Sequence, residues 1–233
     1  MSVLSDVRLL EKIYDHEIKI DPFIYSNIQP SSIDLILDNK IKVPQSDKCI
    51  TAIDENMEQY FEEKILNDYI LKPGDFILGQ IKETIGLSNK LTGQIHNRNS
   101  LIRQGINVGL SSYINPGYQG QLTIAIQNVG KFSVEIYPGM RICQLVVQDV
   151  EPDSETDYSK RNDAKYGGES GVSVSKLYMD TEVSEYLNEF NKASSKEINK
   201  DEFIKFLDDR IRRLSSNTLE SLTEEERKKI GLL

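Results

Sequence analysis

The chain has no tryptophan, and only two histidines and two cysteines, among its 233 residues. Cys49 and Cys143 cannot make a disulfide framework, so the expected setting is a reducing cytoplasm. His16 and His96 stand far apart, and no Cys-x-x-Cys or His-Glu-x-x-His spacing occurs, which argues against a zinc hydrolase. The histidine–cysteine signature of zinc nucleobase deaminases is missing, as is the Gly-x-Ser-x-Gly elbow of serine hydrolases. No apolar run approaches the ~18 residues of a membrane span. The stretch MSVLSDVRLLEKIYDHEI is charged throughout, so no signal peptide is expected. Basic residues are in deficit: 28 Lys and Arg against 37 Asp and Glu leave a net charge of −9. Broad nucleic-acid or membrane contact, which needs a basic face, is therefore not expected. A small phosphorylated ligand stays open, because a few placed arginines suffice to hold one.

What is present fits a globular chain, with 38% hydrophobic and 28% charged residues. The length suits one large domain, or one domain with an appendage. Residues 5–14 read as a short helix with Ser5 as N-cap and Leu9, Leu10 and Ile13 at helical spacing. IQPSSIDLIL (28–37) reads as a turn into a strand, a second strand is expected at 40–44, and residues 51–68 read as loop or weak helix. In YILKPGDFILGQI, Pro73-Gly74 between two β-type runs predicts a hairpin. Short apolar segments then recur to Asp149 between Gly, Pro and Asn, the rhythm of an all-β sandwich or barrel. The clearest strand is QLTIAIQ (121–127): Leu122, Ile124 and Ile126 share one face, and Gln121, Thr123, Ala125 and Gln127 the other. Residues 151–175 are poor in aliphatics and read as a tail or mobile flap. Beyond Asp180 a helical period returns, with Val183, Tyr186, Leu187 and Phe190 on one face.

The densest polar stretch is HNRNSLIRQG (96–105). Arg98, Arg103 and Ser100 offer two planar guanidinium forks and a hydroxyl that suit phosphate oxygens. A surface turn with solvated arginines fits the same residues. NPGYQG (115–120) is a tight turn by composition; Tyr118 beside it would stack on a base or sugar, or simply pack. PGMRICQL (138–145) reads as another Pro-Gly hairpin, with Arg141 and Gln144 as its polar members. DAKYGGESG (163–171) sets Lys165 and Tyr166 before two glycines, which suits a flap over an anion and equally a disordered tail.

These segments, in this order, resemble the dCTP deaminase family of the dUTPase-like superfamily, from about residue 3 to about residue 180. LSDVRLLEKI and IQPSSIDLIL are similar to the family's N-terminal helix and Pro-Ser-Ser-x-Asp-Leu strand. NRNSLIRQG stands where the family has Gly-Arg-Ser-Ser-Leu-x-Arg-x-Gly, and NPGYQGQLTIAIQNVG where it has Asp-Pro-Gly-aromatic-x-Gly and a Glu-bearing strand. PGMRICQL and NDAKYGGESG complete the match. The resemblance implies a mainly β, dUTPase-like jelly-roll or barrel core over 1–180, with a short N-terminal helix and a flap at about 151–180. Residues 181–233 are then a helical extension, either a brace or a docking surface for a protein partner. It also implies a homotrimer with sites between subunits, a pyrimidine deoxynucleoside triphosphate as ligand, and Mg²⁺ carried by that triphosphate, with no zinc. By position Arg98, Ser100 and Gln144 would contact phosphates, Tyr158 and Lys165 would close from the flap, and Arg103 would support the base side of a neighbouring subunit. Asn99, Asn115, Tyr118 and Glu169 complete the expected nucleotide site.

Several of those positions depart from the family pattern. The family's glutamate, general base and acid for water attacking C4 of cytosine, is replaced by Ala125. Asn97 and Asn99 replace Gly and Ser, Asn115 replaces Asp, and Glu169 replaces Gln. Three functions fit this pattern: a dCTP deaminase weakened by these changes, a dUTPase-like pyrophosphatase, and a non-catalytic homologue that senses nucleotides or binds a partner.

Overall fold

The computed structural model describes residues 2–45, 50–109, 113–183 and 185. The chain divides into two units, Met1–Asp180 and Thr181–Leu233. The expected C-terminal helices and Cys49 lie outside the described residues. The first unit carries the β core and every candidate site residue.

The elements run α1 (Asp6–Tyr14), β1 (Ile18–Asp21), β2 (Ile28–Gln29), β3 (Ser32–Pro44), β4 (Phe61–Ile65), β5 (Tyr69–Leu71), β6 (Phe76–Leu87) and β7 (Leu91–Asn97). They continue with α2 (Asn99–Ile102), β8 (Ile106–Val108), β9 (Tyr113–Ile114), β10 (Gln119–Asn128), β11 (Val134–Ile136) and β12 (Arg141–Asp149). Among the described residues ten strands form one curled sheet with the path β8-β10-β6-β3-β12-β7-β9; β1 pairs β6, and β2 and β4 pair β3. A two-stranded sheet pairs β5 with β11. The fold is thus the expected mainly β core with a short N-terminal helix.

Alternation builds the core. Ile77, Ile81 and Ile85 of β6, Ile124 and Ile126 of β10, and Cys143, Leu145 and Val147 of β12 are all fully buried. Each such aliphatic side chain contributes about 1.5–3 kcal/mol of burial. The helix forms where expected: Ser5 accepts from the Arg8 N–H, Asp6 sits in the first turn, Lys12 in the last, and Leu9 is buried.

Three local expectations are corrected. The two strands expected at 28–37 and 40–44 are largely one, β3, whose register against β6 shifts between Leu37 and Ile41. The polar Asp38-Asn39-Lys40 step marks a bend within the strand, where the sequence suggested a break. Residues 51–68 hold a 3₁₀ turn at Met57–Tyr60 and then β4, which pairs with β3 from Pro44↔Phe61 to Lys40↔Ile65. Glu62 and Glu63 are exposed there, as an edge strand allows. Neither Pro-Gly turn closes a hairpin: β5 and β11 pair with each other, while β6 and β12 belong to the large sheet. At Gly74 and Gly139 the backbone has φ +86°, the left-handed region that glycine supplies without steric cost. Both turns pass the chain from one sheet to the other.

One buried acid supports the bend. Glu83 on β6 is 1% exposed. Its Oε2 accepts from the Ile36 N–H at 3.0 Å, and its Oε1 has no partner among the described residues. Burial pushes its carboxyl above the ordinary range; the Ile36 N–H, its own N–H and Lys82 pull the other way, and Asp38 adds a smaller upward push. A carboxyl raised on folding stabilises fully below its unfolded pKa, and that contribution is lost as pH rises through the folded value. Glu83→Gln keeps an acceptor for Ile36 without the charge. The variant's stability is therefore expected to gain on wild type as pH rises from acidic to neutral. Urea unfolding at both pH values checks this; a difference that does not change with pH would count against it.

Candidate functional site

The candidate residues gather in two places. Asn115, Tyr118, Ala125, Tyr158 and Glu169 line a cavity of about 410 Å³, together with Leu78, Leu122, Thr123, Tyr166 and Ser173. Arg98, Ser100 and Arg103 line another of about 700 Å³, with Phe132, Tyr137 and Arg141. The two share no lining residue.

β10 forms the floor of the first cavity. Its Ile124 and Ile126 point into the core, which leaves Thr123 and Ala125 on the cavity side. Ala125 stands opposite Leu78 of β6. The turn before β10 supplies Asn115 and Tyr118, and Gly117 within it has φ +76°. A Cβ on Gly117 would lie 2.5 Å from Cβ of Asp157 and 2.6 Å from its Cα, so glycine lets the segment after β12 close onto the turn. That closure is hydrogen-bonded: the Tyr158 N–H donates to the Pro116 carbonyl at 2.8 Å. The Tyr118 and Tyr158 rings lie 6.1 Å apart, tilted by 37°. Burial, with the charges of Glu169 and Tyr158, pushes the Tyr118 phenol well above its ordinary value. Tyr118 is thus held as a neutral hydroxyl, donating to the Gln121 carbonyl at 3.2 Å.

The segment expected as a tail or mobile flap is packed onto the sheet. The Gly168 N–H donates to the Gln119 carbonyl at 2.7 Å, and the Gln121 N–H to the Glu169 carbonyl at 2.9 Å. Glu169 is the carboxylate of this cavity, and both its oxygens are engaged. Oε1 pairs with Lys176, and Oε2 accepts from the Ser173 hydroxyl at 2.7 Å. Ser173 in turn donates its N–H to the Thr123 hydroxyl at 2.9 Å, which ties Glu169 to the strand of Ala125. Lys176 also sits 5.4 Å from the Tyr166 ring centroid. Lys165 lines none of these cavities. It pairs with Asp180 at 2.6 Å, and that hydrogen bond pushes its ammonium above the ordinary value.

The second cavity is arginine-lined. Arg98 caps the one-turn helix α2 from an extended conformation, and Asn99 and Ser100 are exposed in its first positions. Arg103 follows the helix, is exposed, and has no ionic partner among the described residues. Gln144 lines neither cavity. It lies beside Arg98 because both reach Asp34: Gln144 Nε2 at 3.2 Å and Arg98 Nη2 at 3.5 Å. Sequence reasoning assigns no role to Asp34 and none to Arg141; the Asp of the Pro-Ser-Ser-x-Asp-Leu strand is the one signal that points there. Among the described residues no group of three or more His, Cys, Asp or Glu side chains could hold a metal ion, and no helix is long and apolar enough to cross a membrane.

The chain matches the family model described as dCTP deaminase-like over residues 3–150. A Methanosphaera stadtmanae protein named "dCTP deaminase, dUMP-forming" is 34% identical over 195 residues, covering 78% of this chain and 98% of its own length. A Nanoarchaeum equitans protein of the same name is 35% identical over 197 residues, with 76% and 98% covered. Among solved structures, the 2'-deoxycytidine 5'-triphosphate deaminase from Agrobacterium tumefaciens superposes with a TM-score of 0.52 at 18% identity. That match covers 64% of this chain and 48% of the other, and it is a likeness of fold.

Proposed function

This chain belongs to the dCTP deaminase-like family, and from that premise we propose that it binds a pyrimidine deoxynucleoside triphosphate while deaminating it poorly. The observation that carries the reading is the make-up of the 410 Å³ cavity. Its size lies in the ordinary range for a small-molecule site. Tyr118 and Tyr158 offer ring faces for a base or sugar, Asn115 a hydrogen-bonding amide, and Ala125 nothing that moves a proton. Deamination needs a group that takes a proton from water as it attacks C4 and returns one to the departing ammonia. The cavity's carboxylate, Glu169, is engaged by Lys176 and Ser173.

A triphosphate also needs cationic partners, and the arginine-lined cavity supplies them. In a homotrimer the arginine cavity of one copy would face the aromatic cavity of the next, and together they would make one site. The separation of the two residue sets within a single chain supports that arrangement. Mg²⁺ belongs in this reading with the triphosphate, whose oxygens would hold it; the arginines would bind the remaining phosphate charge. Arg98, Ser100 and Arg103 of the arginine cavity and Asn115, Tyr118, Tyr158 and Glu169 of the aromatic one are proposed nucleotide contacts. Asn99 and Gln144, which line neither cavity but neighbour Arg98, are proposed with them, and Lys165 is free to join only if it leaves Asp180.

The test is a calorimetric titration of the protein with dCTP and dUTP in Mg²⁺, paired with chromatography of the nucleotides. Binding with little or no product is the expected outcome. Rapid dUTP formation from dCTP would contradict the weakened-deaminase reading. Rapid dUMP formation from dUTP would favour the pyrophosphatase reading, and no binding of either nucleotide would overturn the proposal.

A further inference from the structure

Asp34 is the third residue of β3, with 2% of its surface exposed. An ionised carboxylate at such a site is costly unless charged and hydrogen-bonding groups surround it. Three side chains from elsewhere in the sequence do so. Arg141 Nη1 lies 3.3 Å and Arg98 Nη2 3.5 Å from Oδ2, and Gln144 Nε2 lies 3.2 Å from Oδ1. Arg98 Nη1 also donates to the Arg141 carbonyl at 3.1 Å, and Gln144 to the Ser32 hydroxyl at 3.3 Å.

The sheet dictates this meeting. Asp34 stands directly opposite Gln144, and Gln144 opposite His96, two residues before Arg98. The β3–β12 register shifts between Arg141 and Cys143, so that Ile142 and Cys143 are both buried. That irregularity turns Arg141 to the face of Gln144, where strict alternation would have aimed it into the core.

One carboxylate offsets one guanidinium; two reach Asp34, and Arg103 stands unpaired beside them among the described residues. From this geometry we infer that Asp34 is a positioning residue for a polyphosphate cleft in which Arg141 is a third guanidinium beside Arg98 and Arg103. The inference rests on the nucleotide-binding reading for the source of the anion, a di- or triphosphate group.

Electrostatics and positioning give opposite signs for one substitution. Asp34→Asn removes a negative charge next to the cleft, so charge alone would tighten anion binding. If Asp34 orients the two arginines and Gln144, the same change weakens it. The experiment titrates wild type, Asp34→Asn and Arg141→Gln with inorganic tripolyphosphate, dCTP and deoxycytidine at low salt. Each variant is expected to lose about tenfold or more in affinity for tripolyphosphate and dCTP, the scale of one charge-assisted contact. Affinity for deoxycytidine, which has no phosphate, should hold. Equal or tighter tripolyphosphate binding by Asp34→Asn would overturn the positioning role. Arg141 is part-exposed, and unchanged binding by Arg141→Gln would overturn the third guanidinium even if the Asp34 variant failed to fold. Wild type that binds tripolyphosphate but not dCTP would sink the nucleotide reading and leave the cleft standing, whereas wild type that binds neither would sink both.

Discussion

The triple variant Asn99→Ser, Asn115→Asp, Ala125→Glu is expected to convert dCTP to dUTP about 100- to 10,000-fold faster than the wild-type chain, the usual contribution of a general base. Ala125 lines the aromatic cavity from β10, so a glutamate there would enter the space in which the base is proposed to lie. Ala125→Glu alone should recover only a small part of that rate. Asn115, at the rim of the same cavity, and Asn99, beside the arginine cavity, would still present amides where the family has a carboxylate and a hydroxyl. Nucleotide chromatography of timed reactions separates the cases. A single variant as fast as the triple one would show that Asn99 and Asn115 are adequate as they stand. A triple variant no faster than wild type would mean that Ala125 does not occupy the position of the family's glutamate.

The second large effect is on stability. Asn128→Ala should destabilise the chain by about 3 kcal/mol or more, since each buried partner left unpaired costs about 1–3 kcal/mol. Asn128 ends β10 with no exposed surface. Its Nδ2 donates to the carbonyls of Leu71 at 2.8 Å and Phe132 at 2.7 Å, and its Oδ1 accepts from the Gly130 N–H at 2.9 Å. It therefore ties the large sheet to the β5–β11 pair and to the turn between β10 and β11. The same turn meets the loop after Arg103: the Val129 N–H donates to the Gly105 carbonyl, and a Cβ on Gly105 would lie 2.5 Å from Cα of Gly130. Differential scanning calorimetry should show a midpoint about 6–12 °C lower, at 2–4 °C per kcal/mol for a chain of this size. A shift under about 2 °C would show that water replaces the lost contacts.

The parts of this molecule that depend on neighbours in sequence are readable in it. Ser5 announces α1, the alternation of Thr123 to Gln127 announces β10, and the side of that strand on which Ala125 falls follows from period two. Leu122, expected on the face of Ile124 and Ile126, instead lines the cavity beside Thr123, because the register against β6 shifts between Gln121 and Thr123. What depends on partner choice is not readable. Pro73-Gly74 and Pro138-Gly139 mark where the chain bends, and turn chemistry says nothing of which strand it meets next. β5 and β11 find each other across the sheet, so both expected hairpins dissolve. β4 is hidden because an exposed edge strand can carry Glu62 and Glu63 without cost. Asp34 and Arg141 are 107 residues apart, and only the β3–β12 pairing and its irregularity bring them together. The candidate site is legible as a set of residues, through motif order; its division into two cavities is not, since that follows from which strands pair in the curled sheet.

If the two cavities of neighbouring copies make one site, mixed subunits should reveal it. Arg103→Ala would disable the arginine cavity, and Ala125→Phe would fill the aromatic one. Each variant alone is expected to bind dCTP poorly. Co-expressed with different tags and purified through both, the mixed assembly should regain measurable dCTP binding, because one intact copy of each cavity can meet across a subunit boundary. If both tags co-purify and binding stays at the level of the parents, the site is not shared between copies, and the two-cavity assignment is wrong.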